Sequence, residues 1–149
     1  MLHKGKLHCI RNTVSELELL AKLIQCEAGG EGDVGMRAVA TVIVNRLRAI
    51  QGEFSRQQSL SDVVFAPRQF ECTTHPTQNV WLMSPSAIHY DIARWALEGN
   101  KLGAVGDALW FYNPLGAPCR AQFPNSNGTF SVRIGEHCFY RPTPSYAST

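Results

Sequence analysis

The segment SELELLAKLIQCEAGGEGDVGMRAVATVIVNRLR (residues 15–48) decides how the rest of the chain is read. Ser15-Glu16-Leu17-Glu18 has the form of a capping box, in which the Ser15 hydroxyl accepts from the third helical amide and Glu18 reaches back. Leu17, Leu20, Ala21 and Ile24 then recur at helical spacing until Gly29-Gly30, residues that end helices. This predicts a first helix from about Glu16 to Ala28. Asp33 is placed to cap a second helix, in which Met36, Val39, Ala40, Ile43 and Leu47 form one apolar stripe. Arg37, Arg46 and Arg48 lie off that stripe, and the many β-branched residues predict a deeply buried helix.

Downstream of this pair, residues 51–82 are polar and irregular, with a single turn expected at Ser61 to Phe65, and read as a long functional loop. Ser84-Pro85 reads as an N-cap followed by proline at the first helical position. Ile88, Ile92, Trp95 and Ala96 would form the buried face of this third helix, which ends at Gly99. The period then changes: Ala108 to Tyr112, Phe130 to Ile134 and Cys138 to Tyr140 are short, β-branched or aromatic, and separated by Asn, Gly and Pro. Helices first and a small antiparallel sheet after them give an α+β fold.

The chain has 149 residues, 44% apolar and 17% charged, which fits one compact domain and excludes disordered and repeat architectures. The longest mostly apolar run, Ala38 to Val44, is far short of the ~20 residues of a membrane span. Residues 1–14 carry Lys4, Lys6 and Arg11 without an apolar signal core, and read as a short, flexible basic leader ahead of a domain over 15–149. Because the net charge of +2 is owed to that leader, no basic footprint for nucleic acid is expected on the domain. Five cysteines (Cys9, Cys26, Cys72, Cys119 and Cys138) leave at least one unpaired and the redox compartment open.

Glu27 stands out chemically. It lies at the C-terminal end of an amphipathic helix, seven residues after Leu20 and three after Ile24, beside the buried stripe. The negative end of the helix dipole and burial both favour the protonated carboxyl, as a general acid requires. The alternative is an ion pair with a buried Arg46. Glu31, Asp62 and Glu71 are the other carboxylates near loops, and a two-carboxylate glycosidase would need one of them about 5 to 9.5 Å from Glu27. Cys26 with His137 as base would suggest a cysteine hydrolase, but a helix C-terminus raises a thiol pKa, so a small core thiol is the better reading. Cys72-Thr73-Thr74-His75 has half-site metal spacing that His137, Cys138 or Cys119 would have to complete. A Cys119–Cys138 bridge competes with that, and no metal site or cofactor is assigned. His3, His8 and Cys9 read as solvated. Trp81, Trp110, Phe111, Tyr112, Phe123, Phe139 and Tyr140 divide between core and a sugar-stacking groove, with Gln69, Asn113 and Asn125 as hydroxyl partners.

Five motifs then combine: LIQCEAGGEGDVGM (23–36), VNRLR (44–48), FAPRQFE (65–71), LWFYNP (109–114) and HCFYRPT (137–143). In this order, over about residues 17–143, they resemble the SleB/CwlJ family of bacterial cell-wall hydrolases. The terminal His-Cys-Phe-Tyr block with Cys119 upstream, and no separate wall-binding domain or signal peptide, are most similar to the CwlJ branch. The resemblance implies a lysozyme-like, lytic-transglycosylase-like domain that cuts glycan strands of spore cortex peptidoglycan during germination, located at the coat or the outer cortex surface. It also implies a coat protein as partner. The first Glu of the Glu-Ala-x-Gly-Glu motif, Glu27 here, is the implied acid, with the substrate N-acetyl group in place of a second carboxylate. Glu31, Gln69, Phe70, Glu71, Trp110, Tyr112 and Asn113 are the expected glycan contacts. A non-catalytic wall-binding protein on the same fold is the alternative.

Overall fold

The computed structural model describes residues 14–149. The basic leader, its His3, His8 and Cys9, and the side chain of Ser15 fall outside the described residues. Helix α1 spans Val14–Ala28, and Leu20, Ala21, Leu23 and Ile24 are fully buried along it. It stops at Gly29, where any side chain would collide with the Gln25 carbonyl. Helix α2 (Gly32–Arg48) follows at once and is enclosed from Gly35 to Leu47 but for Arg37. Asp33 does not cap α2. Glu31 holds the N-cap position, and Asp33 instead pairs with Arg37 one turn on, at 2.7 Å. Arg46, off the apolar stripe, is nevertheless buried, because this helix is surrounded on all sides.

The segment 51–82 does more than loop. It forms 3₁₀ turns at Glu53–Arg56, Glu71–Thr73 and Val80–Leu82 and a short helix α3 (Leu60–Val64). Phe54, Leu60, Val63, Val64, Phe70 and Val80 enter the core from it, spaced too irregularly for a periodic reading to detect. Asp62, a candidate catalytic carboxylate, is the capping partner of Ser59 and accepts from the Gln58 and Ser59 amides. Helix α4 (Ala87–Leu97) starts two residues later than Pro85 suggests, because the Ser86 amide donates to Nδ1 of His89 at 2.9 Å and closes the first turn. The shift places His89, Ile92, Ala93 and Ala96 inside and leaves Ile88 exposed.

Three strands, β1 (Trp110–Tyr112), β2 (Gly128–Ile134) and β3 (His137–Pro142), form an antiparallel sheet in the order β1-β3-β2. Trp110 pairs with Tyr140 and Tyr112 with Cys138, while β2 runs from Gly128 opposite Pro142 to Ile134 opposite His137, with a bulge between Phe130 and Val132. One face of β3 sends Phe139 into the helical core, and the other sends Cys138 and Tyr140 into a second cluster with Phe54, Leu109, Trp110 and Tyr146. The helices-then-sheet α+β architecture read from the sequence is the one observed. Two disulfides cross it, Cys26–Cys72 and Cys119–Cys138. Cys26 is therefore not a free core thiol, and Cys72 and Cys138 are not available to a metal half-site.

Candidate active site

A cleft of about 500 Å³ opens between the helical layer and the sheet. The end of α1 contributes Cys26 and Glu27, α2 contributes Arg46, the segment after α3 contributes Gln69 to Cys72 with His75 and Gln78, and the sheet side contributes Phe111 to Asn113, Leu115 and His137. Glu27 belongs at this position because the last turn of α1 alternates between inward Ile24 and Ala28 and the cleft. Its Oε2 accepts the backbone N–H of Cys72 at 3.3 Å. Among the described residues no cation lies within ion-pair distance of this carboxyl, so the expected alternative pairing with Arg46 does not form. Burial pushes the Glu27 carboxyl up to about 7. The Cys72 amide works against that rise, the Glu71 charge adds to it, and Arg46 opposes it most weakly. A carboxyl titrating there is protonated in a large fraction of molecules at neutral pH, ready to donate and able to take a proton back.

Arg46 has other partners. Its Nε donates to the Leu109 carbonyl at 2.7 Å and its Nη1 to Gln69 Oε1 at 2.8 Å. The guanidinium also lies over Phe54 at 4.4 Å and Phe70 at 5.3 Å. Gln69 and Phe70, both expected glycan contacts, are thus presented to the cleft by a buried arginine. Tyr112 is fixed by its ring contact with Phe123 at 4.5 Å and by its hydroxyl, which accepts the Arg120 amide at 3.0 Å.

Glu31 is placed differently from the expectation. It does not line the cleft; its Oε1 accepts the Glu136 amide at 2.9 Å and faces Nδ1 of His137 at 3.6 Å. The turn of the β2–β3 hairpin comes this close because Gly135, at φ 58, has no side chain to strike that oxygen. Glu31 therefore reaches the cleft only through His137, a buried ring packed edge-on against Phe111 at 5.2 Å. Desolvation lowers the His137 pKa against the pull of Glu31 and Glu136. Trp110 is not in the cleft either. Only 3% exposed, it packs against Phe54 and Tyr146 in the second cluster, on the opposite side of β1 from Phe111. Phe123, Phe139 and Tyr140 are likewise packing residues, Trp81 is stacked on Phe65 outside the cleft, and Asn125 caps its own turn.

Gln69, Phe70, Glu71, Tyr112 and Asn113 do gather around Glu27. Phe111, which the sequence left between core and sugar-stacking groove, proves to be a cleft wall; His137, weighed only as a base or metal ligand, is another, and the Cys72 amide was missed because it leaves no mark in a sequence. The profile of the family described as Cell Wall Hydrolase matches residues 30–140. The chain belongs to the cell wall hydrolase family. This hydrolase is 33% identical over 134 residues to Cell wall hydrolase CwlJ of Bacillus subtilis (strain 168), covering 90% of each chain. It is 32% identical over 136 residues to the CwlJ of Oceanobacillus iheyensis, covering 90% of this chain and 92% of that one. Its structure matches the catalytic domain of Bacillus cereus SleB with a TM-score of 0.68 at 26% identity, over 87% of this chain and 91% of that chain. The catalytic domain of the germination-specific lytic transglycosylase SleB from Bacillus anthracis gives 0.67 at 25%, over 87% and 96%. The hydrolase thus has the lysozyme-like fold that the resemblance implied.

Proposed function

We propose that this cell wall hydrolase cleaves the glycan strands of spore cortex peptidoglycan during germination, as a lytic transglycosylase with Glu27 as its acid. One observation carries the reading: in a cleft of about 500 Å³, Glu27 is a carboxyl held near neutral pKa by burial, with no cation at ion-pair distance among the described residues. The Glu27 carboxyl donates its proton to the glycosidic oxygen between N-acetylmuramic acid and N-acetylglucosamine, and the C1–O bond breaks. The N-acetyl group of the muramic residue supports the oxocarbenium-like carbon. The Glu27 carboxylate then removes the proton of the muramic 6-hydroxyl, whose oxygen closes on C1 to give a 1,6-anhydro end.

Gln69, Tyr112 and Asn113 supply polar contacts, and Phe70, Phe111 and His137 supply walls. The similarity to CwlJ and SleB supports spore cortex as the substrate, and location at the coat, with a coat protein as partner, belongs to the same proposal. Mass spectrometry of fragments released from purified cortex tests it. Anhydro ends that vanish with Glu27→Gln are expected. Hydrated reducing ends would make the enzyme a glycosidase and turn attention to Glu71, while full activity of the variant would refute the assignment.

A further inference from the structure

The end of α1 is tied to a distant segment by two links that meet at one residue. Cys26, adjacent to Glu27, is bridged to Cys72, 46 residues away in sequence. The same Cys72 donates its backbone N–H to the Glu27 carboxylate. Covalent bond and hydrogen bond together hold the Glu71–Thr73 turn over the carboxyl. On its downstream side the Thr73, Thr74 and His75 amides bond only back to Phe70 and Glu71, residues 74–78 are exposed, and the next tie to α1 is the contact of the Cys26 sulfur with the Gln78 carbonyl at 3.4 Å. Upstream, Arg46 holds Gln69 and lies over the buried ring of Phe70, so the turn is anchored up to Phe70 and depends on the bridge from Glu71 onward. Both cysteines line the cleft, Cys26 half-buried and Cys72 buried, so the bridge is approached from the Cys26 side.

We propose that the Cys26–Cys72 disulfide is a positioning device for Glu27, and that its reduction by a small thiol turns glycan cleavage down. The inference rests on Glu27 being the acid. The chemistry is thiol–disulfide exchange: a thiolate of a dithiol attacks one sulfur, the S–S bond breaks, and the second thiol displaces the mixed disulfide. Two electrons and two protons pass to the protein, which gains two thiols, while the dithiol becomes a cyclic disulfide. The freed turn then swings away from the carboxyl and admits water. Orientation of the acid is lost, and a misplacement of ~1 Å can cost about a hundredfold in rate.

The proton affinity of Glu27 moves as well. Desolvation and Glu71, which raise it, leave with the turn, and so does the weaker opposing amide of Cys72. Arg46 on α2 and His137 on β3 stay in place, with His75 beyond the turn. The net change is downward, so less of the acid is protonated at neutral pH.

The test compares oxidised and dithiothreitol-reduced protein, Cys26→Ser/Cys72→Ser and Cys119→Ser/Cys138→Ser, reading release of new sugar ends from cortex against pH. Reduction is expected to lower the neutral rate about tenfold or more and to move the upper pH limb to lower pH. The 26/72 variant should behave as reduced protein and ignore dithiothreitol, whereas the 119/138 variant should keep the response. Where a variant fails to fold, the Glu27 titration followed by carboxyl-labelled NMR in oxidised and reduced wild type decides, a downward move being expected. Identical rate, profile and titration in the two redox forms would overturn the proposal. Glu27→Gln separates the two readings: inactivity of that variant beside a redox-indifferent wild type refutes the bridge alone, and its activity refutes the acid.

Discussion

Glu27 is a carboxyl whose environment works against its charge, and that has consequences for both rate and stability. In the proposed mechanism the protonated form is the donor, so kcat/KM for glycan cleavage should fall as pH rises through about 7, with unit slope. Glu27→Gln should lose at least about a hundredfold in rate. Its stability should change in the opposite sense. The folded pKa lies above the unfolded one, so the folded state holds the proton more tightly and wild-type stability declines from the ordinary carboxylate range up to about 7. Above that range the neutral amide should be more stable than wild type by about 3 kcal/mol in thermal unfolding, while at low pH the two should match. At Glu31 the expectation concerns support: Glu31→Ala removes the acceptor of the Glu136 amide and the neighbour of His137, and should cost about 1–2 kcal/mol of stability while raising KM. The half-buried place of Glu27 at the cleft was legible because a helix end next to a buried stripe is a local property. Trp110 was misplaced because the period of two separates Trp110 from Phe111 without saying which face meets the cleft.

At the level of elements, the two helices of the decisive segment were readable from spacing alone, and so was the change of period that announces the sheet. Boundaries set by side chains acting as caps were not. His89 closes the first turn of α4 in place of Ser84-Pro85, whereas α2 begins after Glu31 with no side-chain cap, the Glu31 carboxylate being taken up by the Glu136 amide. The segment 51–82 was under-read for a further reason, since short turns bury single residues with no period to reveal them. The Cys119–Cys138 bridge spans 19 residues and fastens the loop after β1 to β3. Replacing both cysteines by serine should lower stability by about 3 kcal/mol, measured by denaturant unfolding.

For the whole molecule, the cleft exists because two cores meet along it, one among the helices and one behind the sheet. Arg46 joins them, reaching from α2 to the Leu109 carbonyl on one side and Gln69 on the other. Arg46→Met keeps the bulk but leaves both acceptors unmet, and should cost about 2–4 kcal/mol, with a Tm drop and a loss of activity that follows unfolding of the cleft edge. A mechanical consequence follows from the other cross-link. Glu27 and all of α2 lie inside the covalent loop closed by Cys26 and Cys72. A force applied to the two chain ends would bypass that loop, hiding its 46-residue span, about 160 Å of contour, from extension. The part of the chain that carries Glu27 is shielded from tension as long as the sulfurs stay joined, and a pulling experiment would see that length appear only after reduction.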